Sequence, residues 1–234
     1  MLRYKAPDNV EYIRERFKSK YYYNNFVIDK TGCRTIEILN ASFIADEPYL
    51  FGKPNKDYIA REFEWYSSQS LNVNDIPGET PKIWKHVATD SGEINSNYGW
   101  CIYNEDNYRQ YENVRATLAE NPNSRQAVMI YTRPSMHEDA YRDNMCDFMC
   151  TNTVQYLIRD RELITIVNMR SNDAVFGYNN DFAWQEYVRD RLIDDLETNT
   201  SGVYKKGPIY WNVGSLHLYE RHFEYVKEYY HGES

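Results

Sequence analysis

The sequence predicts an α+β fold in which helices pack against a mixed β-sheet. Three observations carry this. Five runs rich in β-branched and aromatic residues read as strands. Four stretches repeat apolar residues at helical spacing. No internal repeat, low-complexity tract or long linker divides the chain, so residues 1–234 are expected to form one domain. With 234 residues, 42% of them hydrophobic, the chain is large enough for one substantial core.

In chain order, Thr35–Ala45 reads as the first strand. Residues 56–70 follow as an amphipathic helix, with Ile59, Phe63 and Tyr66 on one face. Pro77-Gly78 marks a turn. Asn104 is a candidate cap for a helix over 104–120 that stops before Asn121-Pro122. Ala127–Thr132, Thr153–Ile158 and Leu163–Met169 read as strands, with Arg159-Asp-Arg-Glu162 as a hairpin turn between the last two. Residues 181–196 form the longest expected helix. Gly207-Pro208 reads as a turn, Ile209–Val213 as the last strand and 216–230 as a closing helix.

Bulk properties exclude several classes. A net charge of −8 does not suit sheathing long nucleic acid, which needs a basic surface. Local arginines still leave room for a small anionic ligand. No stretch approaches the ~20 apolar residues that cross a bilayer. Met1 to Lys20 carries charges throughout, with no apolar segment of a secretory signal. Cys33, Cys101, Cys146 and Cys150 form no CxxC pair, which fits free thiols in a reducing cytoplasm.

Several side chains are candidates for chemistry, each with an ordinary alternative. Cys150 is either a small buried hydrophobe or a nucleophile. Cys146 precedes it by four residues, but two further metal ligands at suitable spacing are missing. Arg170-Ser171 at a strand end is either a solvated terminus or a guanidinium and hydroxyl that grip a phosphate. Arg125, in Asn121-Pro-Asn-Ser-Arg125, is a turn arginine or a second phosphate ligand. Glu62 is a surface carboxylate or a pocket acid with a raised pKa. Trp84 is a core ring or a stacking platform. His217 and Tyr219 alternate, so they share a face suited to a sugar hydroxyl or simply to satisfying buried groups.

The ordered set resembles the thymidylate synthase superfamily from about Asp29 to Tyr219. It is carried by Asp29-Lys30-Thr31-Gly32, Glu62-Phe-Glu-Trp65-Tyr66, Ile83-Trp84, Gly92-Glu-Ile-Asn-Ser-Asn97-Tyr98-Gly99, Asn121-Pro-Asn-Ser-Arg125, Cys150 with Gln155, Arg170-Ser-Asn-Asp173 with Gly177, and Gly214-Ser-Leu-His217-Leu-Tyr219. Departures are Lys30 for an arginine, Gln126 for a second arginine, Met149 for a proline and Thr151 for a histidine. The resemblance implies a thymidylate synthase-like fold in which one sheet face forms a homodimer interface.

Asp181 stands where that family's synthases have asparagine. An asparagine amide donates to uracil O4 and accepts from N3–H. Cytosine presents the opposite pattern, an N3 acceptor and a 4-amino donor, which a carboxyl group suits whether protonated or paired with an N3-protonated ring. Longer runs such as Asp147-Phe-Met-Cys150 through Asp160, and Trp211 through His217, are similar to the superfamily's phage-borne branch that acts on deoxycytidylate (dCMP).

The resemblance then implies transfer of a one-carbon unit from 5,10-methylenetetrahydrofolate to C5 of dCMP, followed by addition of water. It assigns catalysis to Cys150, Glu62 and Asp181, with Arg170 beside the thiol favouring the thiolate. Substrate binding falls to Lys30, Arg125 of the second subunit, Arg170, Ser171, Gln155, His217, Tyr219 and Tyr98. The folate falls to Trp84, Asp173 and Gly177. Methylation of dCMP or deoxyuridylate (dUMP), hydroxymethylation of dUMP, and a silent nucleotide-binding relative are the competing expectations. Membership of a larger nucleotide-synthesis complex stays open.

Overall fold

The structure is a computed structural model describing residues 8–139 and 141–231. Part of the N-terminal stretch read for a signal, and the tail after His231, lie outside the described residues. Six strands form one mixed sheet: β1 (Val27–Ile28), β2 (Arg34–Ile44), β3 (Val128–Ile130), β4 (Thr151–Arg159), β5 (Glu162–Asp173) and β6 (Lys205–Tyr219). Their order is β1-β2-β6-β5-β4-β3. Among the strand pairs of the described residues, only the central β5–β6 pair is parallel. That pair needs a crossover, and the 24-residue helix Phe176–Asn199 supplies it.

The helices are α1 (Val10–Tyr22), α2 (Lys56–Ser68), α3 (Lys82–Val87), α4 (Tyr98–Tyr103), α5 (Gln110–Glu120), α6 (Met136–Asp139), the crossover helix α7 and α8 (Phe223–His231). Burial alternates along the central strands. Leu163, Thr165, Val167 and Met169 of β5 are buried, and so are Ile209, Trp211, Val213 and Leu216 of β6. α1 packs on β2, and α7 packs on β5 and β6. The opposite sheet face carries half-buried Leu157, Ile164, Ile166 and Tyr210. Among the described residues, no helix is long and apolar enough to cross a membrane.

The α+β class and its mixed sheet are as expected, and so is the hairpin at Asp160-Arg161. Both of its residues have positive φ (51° and 65°), the geometry of a two-residue turn that matches strand twist. Four expectations need correction. The helix over 104–120 is broken, because Tyr108 and Arg109 have φ of 63° and 46°. Asn104 instead caps a short 3-10 turn by accepting from the Asp106 amide. The helix over 181–196 starts five residues earlier, at Phe176. Gly207-Pro208 lies inside β6 rather than in a turn. There β5 and β6 change register, and a Cβ on Gly207 would meet the Leu163 carbonyl at 2.8 Å. Finally, the strand ending at Val213 continues to Tyr219, so the closing helix begins only at Phe223.

α1, α3, α4 and α6 are absent from the sequence expectations. In α1, Val10, Ile13, Arg14 and Phe17 form the buried stripe, and Asn9 accepts from the Tyr12 amide as cap. Arg14 is buried because its guanidinium pairs with Glu47 and donates to the Leu50 and Tyr49 carbonyls.

Candidate active site

α2, α3, the segment before β4, the start of α7 and the end of β6 enclose a cavity of about 430 Å³. Local sequence explains how each wall arises. Tyr58, Glu62 and Tyr66 recur every four residues on α2, so all three face the cavity. Asn97 caps α4 and donates to the Trp65 and Ser70 carbonyls, tying α4 to the end of α2. Gly99 permits this contact, since a Cβ there would lie 1.8 Å from the Tyr66 carbonyl oxygen. Tyr98 is thereby aimed at α7.

Cys150 ends the loop leading into β4, and its carbonyl accepts from the Arg170 amide across the β4–β5 pair. Beneath that loop, buried Asp147 accepts from the Asn95 and Ser96 amides and the Ser96 hydroxyl. Arg170 donates to the Met149 and Phe148 carbonyls, lies over the Phe148 ring, and has Nη2 3.7 Å from the Cys150 sulfur. The expected drop in the thiol's pKa does not appear. Burial pushes the Cys150 thiol up to about 11; Arg170 opposes this, while Asp181 and Asp147 reinforce it.

Of the four carboxyl groups that line the cavity, Glu62, Asp147, Asp173 and Asp181, two are raised by burial to about 7. Glu62, only 3% exposed, is raised to about 7 by burial, although hydrogen bonds from Tyr58, Trp84 and Tyr66 oppose the rise. Its Oε1 accepts from Tyr58 at 2.6 Å, and the Tyr58 hydroxyl accepts from the Trp84 indole at 2.8 Å. Asp181 is likewise raised to about 7 by burial, with Glu62 and Asp173 adding to the rise. Its two oxygens meet the Tyr98 hydroxyl at 3.0 Å and the Asn172 amide at 2.7 Å. The Thr151 hydroxyl in turn bonds Tyr98 at 2.9 Å. The cavity thus gathers the Cys150 thiol, held protonated by burial, with two carboxyls raised to about 7.

Of the residues singled out from sequence, Cys150, Glu62, Asp181, Arg170, Tyr219, Tyr98, Trp84, Asp173 and Gly177 line this cavity. Asp173 also accepts from the Val175, Phe176 and Gly177 amides at the start of α7. Ile83, Val87, Phe148 and Phe176 give the same cavity apolar walls, which suits a flat ring beside Trp84 and Asp173. Lys30, Ser171, Gln155, His217 and Arg125 are not among its lining residues.

Lys30 sits in the exposed β1–β2 connection, next to β6 because Thr35 pairs with Tyr219 and Glu37 with His217. The His217 and Tyr219 rings touch edge to face at 5.0 Å. Ser171 pairs with Ser215 within the sheet. Arg125 lies beside β3 at the far edge, where its carbonyl accepts from Gln155. No group of three or more His, Cys, Asp or Glu side chains able to hold a metal occurs among the described residues.

Sequence reasoning missed Tyr58, Asn172, Asp147 and Arg221. Tyr58 was detectable from its four-residue spacing to Glu62. Arg221 lies over the Tyr219 ring at 4.3 Å, a contact that depends on β6 continuing to Tyr219.

Comparison with known proteins agrees with this geometry. The family profile described as thymidylate synthase matches residues 29–233. The deoxycytidylate 5-hydroxymethyltransferase of Enterobacteria phage T4 is 61% identical over 218 residues, covering 93% of this chain and 89% of that protein. The thymidylate synthase of Francisella philomiragia is 27% identical over 180 residues, covering 73% of this chain and 64% of that protein. Among solved structures, the thermostable thymidylate synthase A from Bacillus subtilis superposes with a TM-score of 0.68 at 19% identity, covering 94% of this chain and 83% of that one. The chain belongs to the thymidylate synthase family, within which its cavity carries a carboxyl at position 181.

Proposed function

We propose that this chain is a deoxycytidylate 5-hydroxymethyltransferase, acting as one catalytic domain in the cytoplasm of the cell that makes it. The observation that carries this reading is the Asp181 carboxyl, facing the same cavity as Cys150 and Glu62. Similarity to the phage T4 enzyme supports it.

The Cys150 thiol passes its proton to an ionised carboxylate of the cavity as its sulfur adds to C6 of the cytosine ring, which makes C5 nucleophilic. Asp181 meets N3 and the 4-amino group. Its pKa near 7 lets it share one proton with N3 and stabilise charge displaced there when C6 is attacked. 5,10-Methylenetetrahydrofolate supplies the one-carbon unit, and tetrahydrofolate leaves. As tetrahydrofolate leaves, its nitrogen taking up a proton, the C5 proton is removed and the ring then carries an exocyclic methylene at C5. Glu62, held by Tyr58, takes a proton from the water that adds to this methylene. The Cys150 sulfur departs from C6 and the C5–C6 double bond re-forms. Trp84, Asp173, Gly177 and the apolar walls around them are positioned to hold the folate.

Lys30, Arg170 and Ser171 are assigned to the 5′-phosphate, Gln155 to substrate binding, and His217 and Tyr219 to the sugar hydroxyl. Arg125 lies at the β3 edge, while Lys30 belongs to the β1 edge. It is therefore assigned to the phosphate of a second copy in a two-fold dimer. The apolar side chains on the open sheet face support that dimer.

Incubation with dCMP and methylenetetrahydrofolate tests the reading by mass spectrometry of the nucleotide. A gain of CH₂O with tetrahydrofolate released is expected. A gain of CH₂ with dihydrofolate released would make the enzyme a methylating synthase instead.

A further inference from the structure

Asn172 lies on β5 beneath the cavity, only 2% exposed, between Trp211 of β6 and Asp181 of α7. The Trp211 indole nitrogen donates to the Asn172 side-chain oxygen at 3.2 Å. An indole N–H can only donate. The Asn172 oxygen must therefore face Trp211, and its NH₂ must face Asp181, where it lies 2.7 Å from Oδ2. Trp211 is fully buried, so the amide cannot turn over without stranding the indole hydrogen. Gly177 covers the pair from above: a Cβ there would come within 3.1 Å of the Asn172 nitrogen.

The other carboxyl oxygen has a different neighbour. Tyr98 donates to Oδ1 while accepting from the Thr151 hydroxyl, and as a hydroxyl it can accept as well as donate. One side of position 181 thus meets a fixed donor, the other a reversible group. We propose that Asn172, locked by Trp211, is a specificity-determining positioning residue that requires an acceptor on its side of residue 181 and so fixes the donor–acceptor order shown to the base.

This inference rests on the assignment of Asp181 as the group that meets the base. It has a consequence for an amide at the same position. An asparagine at 181 must turn its oxygen to Asn172 and its NH₂ to Tyr98, so the uracil-reading orientation is selected by Asn172 and not by the new side chain alone.

Two variants test it, Asn172→Ala and Trp211→Phe. The first removes the donor; the second keeps it but frees the amide to rotate. The readouts are the titration of the Asp181 carboxyl carbon by NMR, assigned through its loss in Asp181→Asn, and kcat and KM for dCMP and dUMP.

Loss of a donor to the ionised form raises a carboxyl pKa. In Asn172→Ala the midpoint should rise by about one pH unit, from a lost hydrogen bond to a charged group. KM for dCMP should rise about tenfold with a smaller change in kcat, and the dCMP-to-dUMP preference should fall. Trp211→Phe should give changes of the same sign and smaller size. A folded Asn172→Ala protein with the native midpoint and the native preference would overturn the proposal. If the native chain fails to turn over dCMP, the functional assignment fails, and the Asp181 titration still decides what Asn172 does.

Discussion

The Tyr58 hydroxyl donates to Glu62 at 2.6 Å from one turn earlier on α2, and at the same time accepts from the Trp84 indole. This chain links the acid assigned to proton transfer with the ring assigned to the folate. Tyr58→Phe removes the tyrosine donor to Glu62 and the hydroxyl that accepts from the Trp84 indole. The ionised form of Glu62 then loses support, so its pKa rises above about 7. Steps that need Glu62 as a base should shift their limb of the kcat–pH profile to higher pH, with roughly a tenfold loss of kcat at pH 7. An unchanged profile would show that Tyr58 only packs against α2.

Arg125 and Cys150 lie in different parts of the protein, one at the β3 edge and one in the cavity. If the phosphate site is completed between subunits, Arg125→Ala and Cys150→Ser homodimers are each impaired, the second by about a thousandfold or more. Unfolding and refolding the two together should restore activity. A mixed dimer pairs one intact thiol with one intact Arg125, so recovery approaches about a quarter of the native rate if subunits mix at random. No recovery, with mixed dimers present, would place Arg125 outside the site.

Gly99 is the narrowest contact between α4 and α2. Adding a Cβ 1.8 Å from the Tyr66 carbonyl forces the helices apart, because neither partner is a flexible side-chain end. Gly99→Ala should cost about 3 kcal/mol or more and lower the melting temperature by roughly 10 °C. Tyr98 moves with α4, so the tyrosine contact to Asp181 weakens as well. Calorimetry of the variant decides this. A melting temperature within a degree or two of the native value would mean that α4 shifts freely.

The chemistry was legible in the sequence where residue type alone carries it: a thiol, two carboxyls and an arginine in a recognisable order. Nine of the expected site residues line one cavity, because the strand ends and helix starts that bear them converge. What sequence did not reveal depends on three-dimensional pairing. Asn172 is a donor to Asp181 only because β5 runs on to Asp173 and puts it beside Trp211 of β6. The break at Tyr108-Arg109 depends on two non-glycine residues with positive φ, for which helix propensity gives no warning. α1 was missed because its buried stripe includes Arg14, whose charge hides the periodicity until Glu47 is brought to it.

Asp181 should weigh on stability in a pH-dependent way. Its folded pKa is raised by burial to about 7, from a usual value of 3.8. Below pH 4 both folded and unfolded chains hold the proton, and there is no penalty. As the pH rises through 4 to 7 the unfolded chain loses its proton first, so the folded state loses stability, up to roughly 4 kcal/mol. Above pH 7 the penalty is complete and constant. Glu62 acts in the same direction over the same window. Asp181→Asn removes one of the two penalties, so denaturant midpoints should show the variant gaining on the native chain between pH 5 and pH 8. It should also shift preference from dCMP toward dUMP, since an amide presents uracil's complement. A stability difference independent of pH would mean that Asp181 stays ionised in the folded protein. The carboxyl would then read cytosine only by pairing with an N3-protonated ring.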